Sequence, residues 1–216
     1  MAADGSGGAG VLVNNVGVGN EDPLRAHEVS GKEHCAMIKV NCEGMTRMTA
    51  AVASHFMARK APGRRAAILN ISSGSSAQPS PFLATYGATK AYNKHFSKAC
   101  AREYGADGID VTCFHPYYVC GTGLYASTKP SLVAPAVHKA VKAGLDALGK
   151  GTEATFGVPA HSVMGWLFGT VFEDRVLGAL AEKGGDLLGV NGSMLRIMQA
   201  ARARMDRRAA KKNKAK

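Results

Sequence analysis

The chain has 216 residues, of which 46% are hydrophobic and 20% charged, and its formal net charge is +11 at pH 7. This length and apolar fraction suit one folded domain with a sizeable core and exclude a wholly disordered chain. The five cysteines are an odd, scattered set without a CxxC pair, which argues against a disulfide framework and a cysteine-based metal site and favours a reducing compartment.

The positive charge is concentrated at the C-terminus. Residues 196–216 carry nine Lys and Arg against one Asp, a net charge of +8 that leaves only +3 for the rest of the chain. Aromatic side chains do not interleave with these charges, so we favour a solvated tail or contact with an anionic membrane surface over nucleic-acid binding. We predict a flexible segment at 1–9, a folded domain at 10–195 and a basic tail at 196–216.

Apolar strands alternate with helical patterns along the chain. Short apolar runs bounded by turn residues predict buried strands at 10–15, 66–72, 109–115 and 152–157. Hydrophobic residues at helical spacing predict helices at 31–60, 86–104, 132–149 and within 160–210. This order is typical of βαβ units and of a parallel sheet with both faces covered. Because such sheets bind ligands beyond the carboxyl ends of their strands, the residues that follow each strand are the candidates for a site.

Polar groups stand at these strand ends and on the helix that follows. Tyr86 and Lys90 are four residues apart, about one helical turn, so their side chains project from one helix face. Such a pair also occurs by chance on a helix surface. Ser73 follows the second strand, and the Asn14–Gly17 stretch follows the first. We therefore interpret these residues as one site at the same edge of the sheet.

Four motifs in this order resemble those of the short-chain dehydrogenase/reductase superfamily. They are NNVG at 14–17, KVNCEG with Asn41, NISSG with Ser73, and YGATK with Tyr86 and Lys90. Longer stretches such as VNCEGMTRMT and HPYYV are similar to the microsomal very-long-chain 3-oxoacyl-CoA reductases, a branch that includes 17β-hydroxysteroid dehydrogenases of types 3 and 12. That branch has Pro-Tyr where most of the superfamily has Pro-Gly, and this chain has Pro-Tyr at 116–117.

The resemblance implies a role for each residue of the site. Tyr86 would donate a proton, and Lys90 would lower the tyrosine pKa from its usual value of about 10, because a nearby cation favours the phenolate. Ser73 would polarise the substrate carbonyl, and Asn41 would hold a water that relays protons. The implied cofactor contacts are Asn14, Gly17, Tyr86, Lys90, Pro116 and Thr122, and the implied substrate contacts are Ser73 and Tyr117.

Simpler structural roles stay open for several of these residues. Ser73 could be a turn or helix-cap residue, and Asn41 could only satisfy backbone groups. Tyr117 either lines the substrate or nicotinamide site or packs in the interior. His115 and His161 lack a set of accompanying ligands, so we predict no metal site.

The implied fold is α/β, the C-terminal part of a Rossmann-like doubly wound parallel sheet. The chain would supply strands 4 to 7 of the family fold and lack the first βαβαβ half, so that the domain at 10–195 is a partial catalytic domain with an edge strand at 10–15. The family's TGxxxG turn does not occur. GSGGAG at 5–10 precedes a strand instead of following one, so we interpret it as a linker.

The implied function is NADPH-dependent reduction of the 3-keto group of long-chain 3-oxoacyl-CoA in fatty-acid elongation. One alternative is a 17β-hydroxysteroid dehydrogenase, and another is a truncated chain without cofactor binding or activity. The branch and the C-terminal KNKAK, which resembles a dilysine retrieval signal at Lys212 and Lys214, predict the endoplasmic reticulum membrane with the catalytic part facing the cytosol. Pairing of two long helices into a homodimer is expected by analogy.

Overall fold

The computed structural model describes residues 10–20, 22–122 and 129–167, together with 199–200, 202–203 and 206–207. The predicted flexible segment 1–9, most of the basic tail and both dilysine positions lie outside the described residues. Residues 168–198 of the helical pattern predicted within 160–210 lie outside them as well.

Four parallel strands form one sheet in the order β1-β2-β3-β4. They are β1 Val11–Asn14, β2 Ala66–Ile71, β3 Ile109–Phe114 and β4 Ala154–Thr155. The register sets Asn14 opposite Asn70 and Ile71 opposite Phe114, so the carboxyl ends of the first three strands meet at one edge. Among the described strands β1 pairs only with β2, which confirms the edge position predicted from the sequence.

Five α-helices accompany the strands in the described part of the chain. They are α1 Gly31–Ile38, α2 Met45–Ala58, α3 Ala84–Tyr104, α4 Val137–Leu145 and α5 Pro159–Trp166. The helix predicted at 31–60 is divided by a π-helical segment, Lys39–Gly44, that inserts between α1 and α2. The helix predicted at 132–149 was too long, because Pro135 has no N–H group and the chain turns at positive φ at Gly149 and Gly151.

Helices cover both faces of the sheet. On one face, α2 and α3 pack against β2 and β3 through Ala53, Phe56, Ile68, Cys100, Ile109 and Val111. On the other face, Ala140 of α4 packs against Leu69 and Phe114. The α/β architecture with a parallel, two-sided sheet is therefore confirmed. In the part of the chain that the structure describes, no helix has the length and apolarity needed to span a membrane.

Candidate active site

Tyr86 and Lys90 lie side by side on the inner face of α3. Tyr86 is 9% exposed and Lys90 is 5% exposed, so the helix directs both side chains into the protein. The Lys90 ammonium lies 5.7 Å from the centroid of the Tyr86 ring, within the range of a cation–π contact. The one-turn spacing in the sequence thus brings the two groups together.

The Lys90 ammonium is held at the end of β2. Its Nζ donates a hydrogen bond to the Ile71 carbonyl at 3.2 Å. This is the one hydrogen bond of the ammonium within the described residues, whereas the group has three N–H donors. Gly17 approaches from another side, where a Cβ atom would come within 3.1 Å of Nζ. The remaining N–H donors of Lys90 leave room for the implied cofactor contact, which stays a prediction.

Two neighbouring serines at the end of β2 have different partners. Ser73 begins a short 3-10 turn, where its hydroxyl accepts from the Ser75 N–H at 3.2 Å, and it lies close enough to the Tyr86 phenol to affect its pKa. The Ser72 hydroxyl instead donates to the Lys90 carbonyl at 2.7 Å. Ser73 therefore faces the reactive end of Tyr86, while Ser72 fixes the backbone of α3 to the strand.

Burial dominates the pKa values of the central pair. It raises the pKa of Tyr86 above 10, and the neighbouring Ser73 side chain opposes this shift only partly. Burial also lowers the pKa of Lys90, opposed by the nearby Cys113 and Cys42. The sequence predicted that Lys90 would lower the tyrosine pKa. The structure gives the opposite direction, because removing the phenolate from water costs more than its neighbours recover.

Asn41 joins the loop after β1 to α3. It is fully buried in the π-helical segment, a type of distortion that often occurs at functional sites. Its Oδ1 accepts from the Val18 N–H, and its Nδ2 donates to the Val18 carbonyl, both at 2.8 Å. Nδ2 also donates to the Thr89 hydroxyl at 2.9 Å, which in turn donates to the Tyr86 carbonyl at 2.8 Å. A role of Asn41 in holding a relay water stays a prediction.

Asn14 is tied into the sheet at the end of β1. Its Nδ2 donates to the Asn70 side-chain oxygen at 2.8 Å and to the Thr49 hydroxyl at 3.0 Å. These contacts fix the point where the chain leaves the sheet toward Gly17. Asn14 therefore shapes the turn beside Lys90, and its predicted contact with a cofactor stays a prediction.

Three further residues that were predicted for the site lie in the loop after β3: Pro116, Tyr117 and Thr122. The Pro116 carbonyl accepts from the Gly74 N–H at 2.7 Å, which holds this loop against the turn that carries Ser73. The Tyr117 ring lies over Gly74, where a Cβ atom would collide with it, and its hydroxyl donates to Gln78 at 3.2 Å. The Thr122 hydroxyl donates to the Val119 carbonyl at 3.0 Å. Pro116 and Tyr117 thus border Ser73, whereas the structure shows only a local backbone contact for Thr122.

The contacts of the two buried histidines, His115 and His161, indicate structural roles. His115 packs on Phe156 with 3.9 Å between ring centroids, and burial, reinforced by Lys94 and Lys98, lowers its pKa to about 3. His161 bonds the Val133 carbonyl at 3.2 Å through Nε2 and accepts from a backbone N–H through Nδ1. Across the described residues no cluster of three or more His, Cys, Asp or Glu could hold a metal ion.

Two residues of the site were missed by the sequence analysis. Gly19 lies against the Tyr86 ring, where a Cβ atom would come within 2.9 Å of Cδ2. Thr89 connects Asn41 to the Tyr86 carbonyl. The position of Thr89, three residues after Tyr86 on the same helix face, was a usable signal. For Gly19 no local pattern was available, since its partner is 67 residues away in the chain.

A separate cavity of about 310 Å³ lies beside this site, where Gln199, Arg202, Ala203 and Asp206 meet the segment before α1. Arg202 closes one side by ion-pairing with Glu28 at 2.7 Å and with Asp206 at 3.2 Å, and it also donates to the Pro23 carbonyl. Phe82, four residues before Tyr86, lines the cavity on the α3 side. The wall of the cavity therefore connects the C-terminal residues to the segment that precedes α3.

The family-model match and the similar curated proteins agree on one family for this chain. The family model described as short chain dehydrogenase matches residues 2–132. A very-long-chain 3-oxoacyl-CoA reductase of Schizosaccharomyces pombe is 34% identical over 164 residues, covering 72% of this chain and 48% of the relative. The Macaca fascicularis protein of the same name is 36% identical, covering 73% of this chain and 49% of its own length. The chain spans about half the length of these relatives.

Solved structures agree with the fold. A short-chain dehydrogenase from Sphingobium yanoikuyae, described as a complex with NADPH, has a TM-score of 0.58 and 26% identity, covering 77% of this chain and 66% of its own. A short chain dehydrogenase from Burkholderia cenocepacia has a TM-score of 0.64 at 21% identity, covering 80% of this chain and 69% of its own. The second similarity bears on the fold alone.

Proposed function

The chain belongs to the short-chain dehydrogenase family, and from this premise we propose that it uses NADPH to reduce the 3-keto group of a long-chain 3-oxoacyl-CoA. The observation that carries the proposal is that α3 holds the Tyr86 phenol beside the buried Lys90, with Ser73 close by at the end of β2. A hydroxyl donor, a protonated phenol and a cation within one buried site suit the reduction of a carbonyl group.

The nicotinamide cofactor supplies the hydride when it is bound. The substrate carbonyl oxygen gains negative charge during the reaction, and the Ser73 hydroxyl stabilises that charge by donating a hydrogen bond. The Tyr86 phenol donates its proton to the same oxygen as general acid. Lys90 keeps a positive charge beside the phenolate that remains and holds the ribose hydroxyls of the cofactor.

The raised pKa of Tyr86 agrees with this direction of reaction. Because the group is protonated throughout the neutral range, the site holds a proton donor before the substrate arrives. Lys90 and Gly17 would border the nicotinamide ribose, with Asn14, Pro116 and Thr122 near the nicotinamide side. Tyr117 would face the substrate beside Ser73.

Relatives support the choice of substrate and cofactor. Several carry the name very-long-chain 3-oxoacyl-CoA reductase and are 31–36% identical to this chain. The Sphingobium yanoikuyae structure supports NADPH as the cofactor class. Since the chain covers about half of each named relative, the substrate and the activity are proposed here on the site and these similarities together.

The test is NADPH oxidation by the purified chain with a long-chain 3-oxoacyl-CoA, with a 17-keto steroid as the competing substrate. We expect turnover of the acyl-CoA, and a kcat lowered about 10²–10³-fold by Ser73→Ala, as for loss of an oxyanion donor. Ser76→Ala, on the same 3-10 turn, is the matched control, because the Ser76 hydroxyl has no hydrogen-bond partner among the described residues.

Each other result counts against a defined part of the proposal. Preference for the steroid would replace the substrate class and leave the site residues in place. Absence of turnover with both substrates, or equal loss from Ser73→Ala and Ser76→Ala, would overturn the proposed function.

A further inference from the structure

The first turn of α3, which carries Tyr86, has no side-chain cap of its own. The residue at its N-cap position is Leu83, whose φ of −130° and ψ of 32° are not helical and whose side chain cannot accept a hydrogen bond. The preceding residue, Phe82, has φ of 65°, the one positive φ outside glycine in the described residues. The start of the catalytic helix therefore depends on contacts from other elements for its position.

His34 of α1 supplies such a contact. Its Nδ1 lies 2.7 Å from the hydroxyl of Thr85, the residue before Tyr86, and its Nε2 lies 3.0 Å from the Ala26 carbonyl. A carbonyl oxygen can only accept, so Nε2 carries the proton in the neutral ring and Nδ1 accepts from the Thr85 hydroxyl. Both ring nitrogens are thus used, one toward α3 and one toward the turn before α1.

The same three elements enclose Tyr86. Its ring packs with Met37, one turn after His34 on α1, and with Val29 from the segment that follows the turn. The Leu24 N–H donates to the Phe82 carbonyl at 3.0 Å, which links this segment to the residues before α3. His34 is the side chain that connects α1, the 26–28 turn and the first turn of α3 through hydrogen bonds.

We propose that His34 is a positioning residue for Tyr86, acting through its bond to Thr85. This inference rests on the proposed reductase function, in which the phenol must reach the carbonyl oxygen that Ser73 binds. A displacement of about 1 Å at such a group lowers the rate of the chemical step by up to about 10²-fold. The displacement affects the phenol and not the contacts that bind the substrate. It therefore lowers kcat and leaves KM nearly unchanged.

Two conservative variants separate the two bonds of His34. Asparagine places an amide oxygen near the Nδ1 position and can keep the bond to Thr85, whereas glutamine places an amide nitrogen near Nε2 and can keep only the bond to Ala26. We expect His34→Gln and Thr85→Val each to lower kcat about tenfold with little change in KM. His34→Asn should keep most of the wild-type kcat. The His34→Gln/Thr85→Val double variant should have about the same kcat as either single variant.

The matched control is His55→Gln on α2, where the imidazole is exposed and bonds to Arg59 four residues on. This variant should keep the wild-type kcat. A purely structural role of His34 would instead lower thermal stability without lowering kcat for the folded protein, and Asn and Gln would then be equivalent.

Tyr86→Phe, measured in parallel, separates failure of this inference from failure of the proposed function. If Tyr86→Phe abolishes turnover while His34→Gln keeps the wild-type kcat, His34 does not position Tyr86 and the reductase function stands. If the wild-type chain does not reduce 3-oxoacyl-CoA, the proposed function is wrong. Amide hydrogen exchange at Tyr86 and Gly87 then tests whether His34 positions Tyr86. Faster exchange in His34→Gln than in His55→Gln supports the positioning role, and equal exchange overturns it.

Discussion

The backbone of Gly19 lies directly against the ring of Tyr86, so closely that a Cβ atom there would come within 2.9 Å of Cδ2 and 3.2 Å of Cε2. Real Cβ atoms do not approach ring carbons to this distance, so a side chain at position 19 would displace either the loop or the ring. The loop after β1 therefore determines where the phenol of the catalytic helix lies, although the two residues are far apart in the chain.

Replacing Gly19 by alanine tests this contact. We expect Gly19→Ala to lower the free energy of unfolding by about 1–3 kcal/mol, the usual cost of overpacking, and to lower kcat because the Tyr86 ring must move. Gly31→Ala is the control, since a Cβ atom at Gly31 would meet nothing within 4 Å. Denaturant unfolding and steady-state kinetics of both variants measure the effects. Equal behaviour of the two variants would show that the loop adapts without moving the ring.

Removing the Asn41 amide should loosen the same loop from α3. Asn41→Ala leaves the Val18 N–H and carbonyl without their partner and removes the donor to Thr89. We expect a loss of about 1–3 kcal/mol in the free energy of unfolding, because the Thr89 hydroxyl that loses its donor is buried. Asn15→Ala, at an exposed position just after β1, should change the free energy of unfolding by less than about 0.5 kcal/mol. A similar small change for Asn41→Ala would contradict the network.

Acid should destabilise the fold through His115. Its pKa is about 3 in the folded protein against about 6.5 in the unfolded chain, so below pH 6.5 the unfolded state binds a proton that the folded state does not. Its contribution to stability is complete above pH 6.5 and is lost as the pH falls toward 3, by up to about 1.4 kcal/mol per pH unit.

The check is the pH dependence of urea unfolding for the wild type and for His115→Phe. Between pH 6.5 and 4, the free energy of unfolding of His115→Phe should fall less steeply than that of the wild type, whatever its value at neutral pH. His138→Phe, which replaces an exposed histidine on α4, should follow the wild-type slope. Parallel curves for the wild type and His115→Phe would exclude His115 as the source of the acid sensitivity.

The sequence was sufficient for the parts of the molecule that depend on local patterns. The alternation of parallel strands with helices and the meeting of Tyr86 with Lys90 follow from apolar runs and from one-turn spacing, whereas the edge position of β1 was predicted from the resemblance to the family. Motif order was enough to place Ser73 beside the phenol. These features repeat in any chain with the same periodicities, which is why a single sequence can predict them.

Features that depend on distant contacts were not predictable in this way. The π-helical segment at Lys39–Gly44 contains Asn41, whose bonds reach Val18 and Thr89, and no local pattern distinguishes it from an ordinary helix. The pKa of Tyr86 was predicted in the wrong direction, because the degree of burial of a phenol is set by packing of the whole fold.

The central claim is that Tyr86 is the proton donor of a carbonyl reductase, and the most direct test is the kcat for NADPH-dependent reduction of a long-chain 3-oxoacyl-CoA by Tyr86→Phe. Tyr92→Phe, on the same helix but exposed and bonded to Thr46, is the matched control. Loss of the phenol proton should lower kcat by about 10²-fold or more in Tyr86→Phe and leave Tyr92→Phe near the wild type. Turnover by Tyr86→Phe at the wild-type rate would contradict the claim.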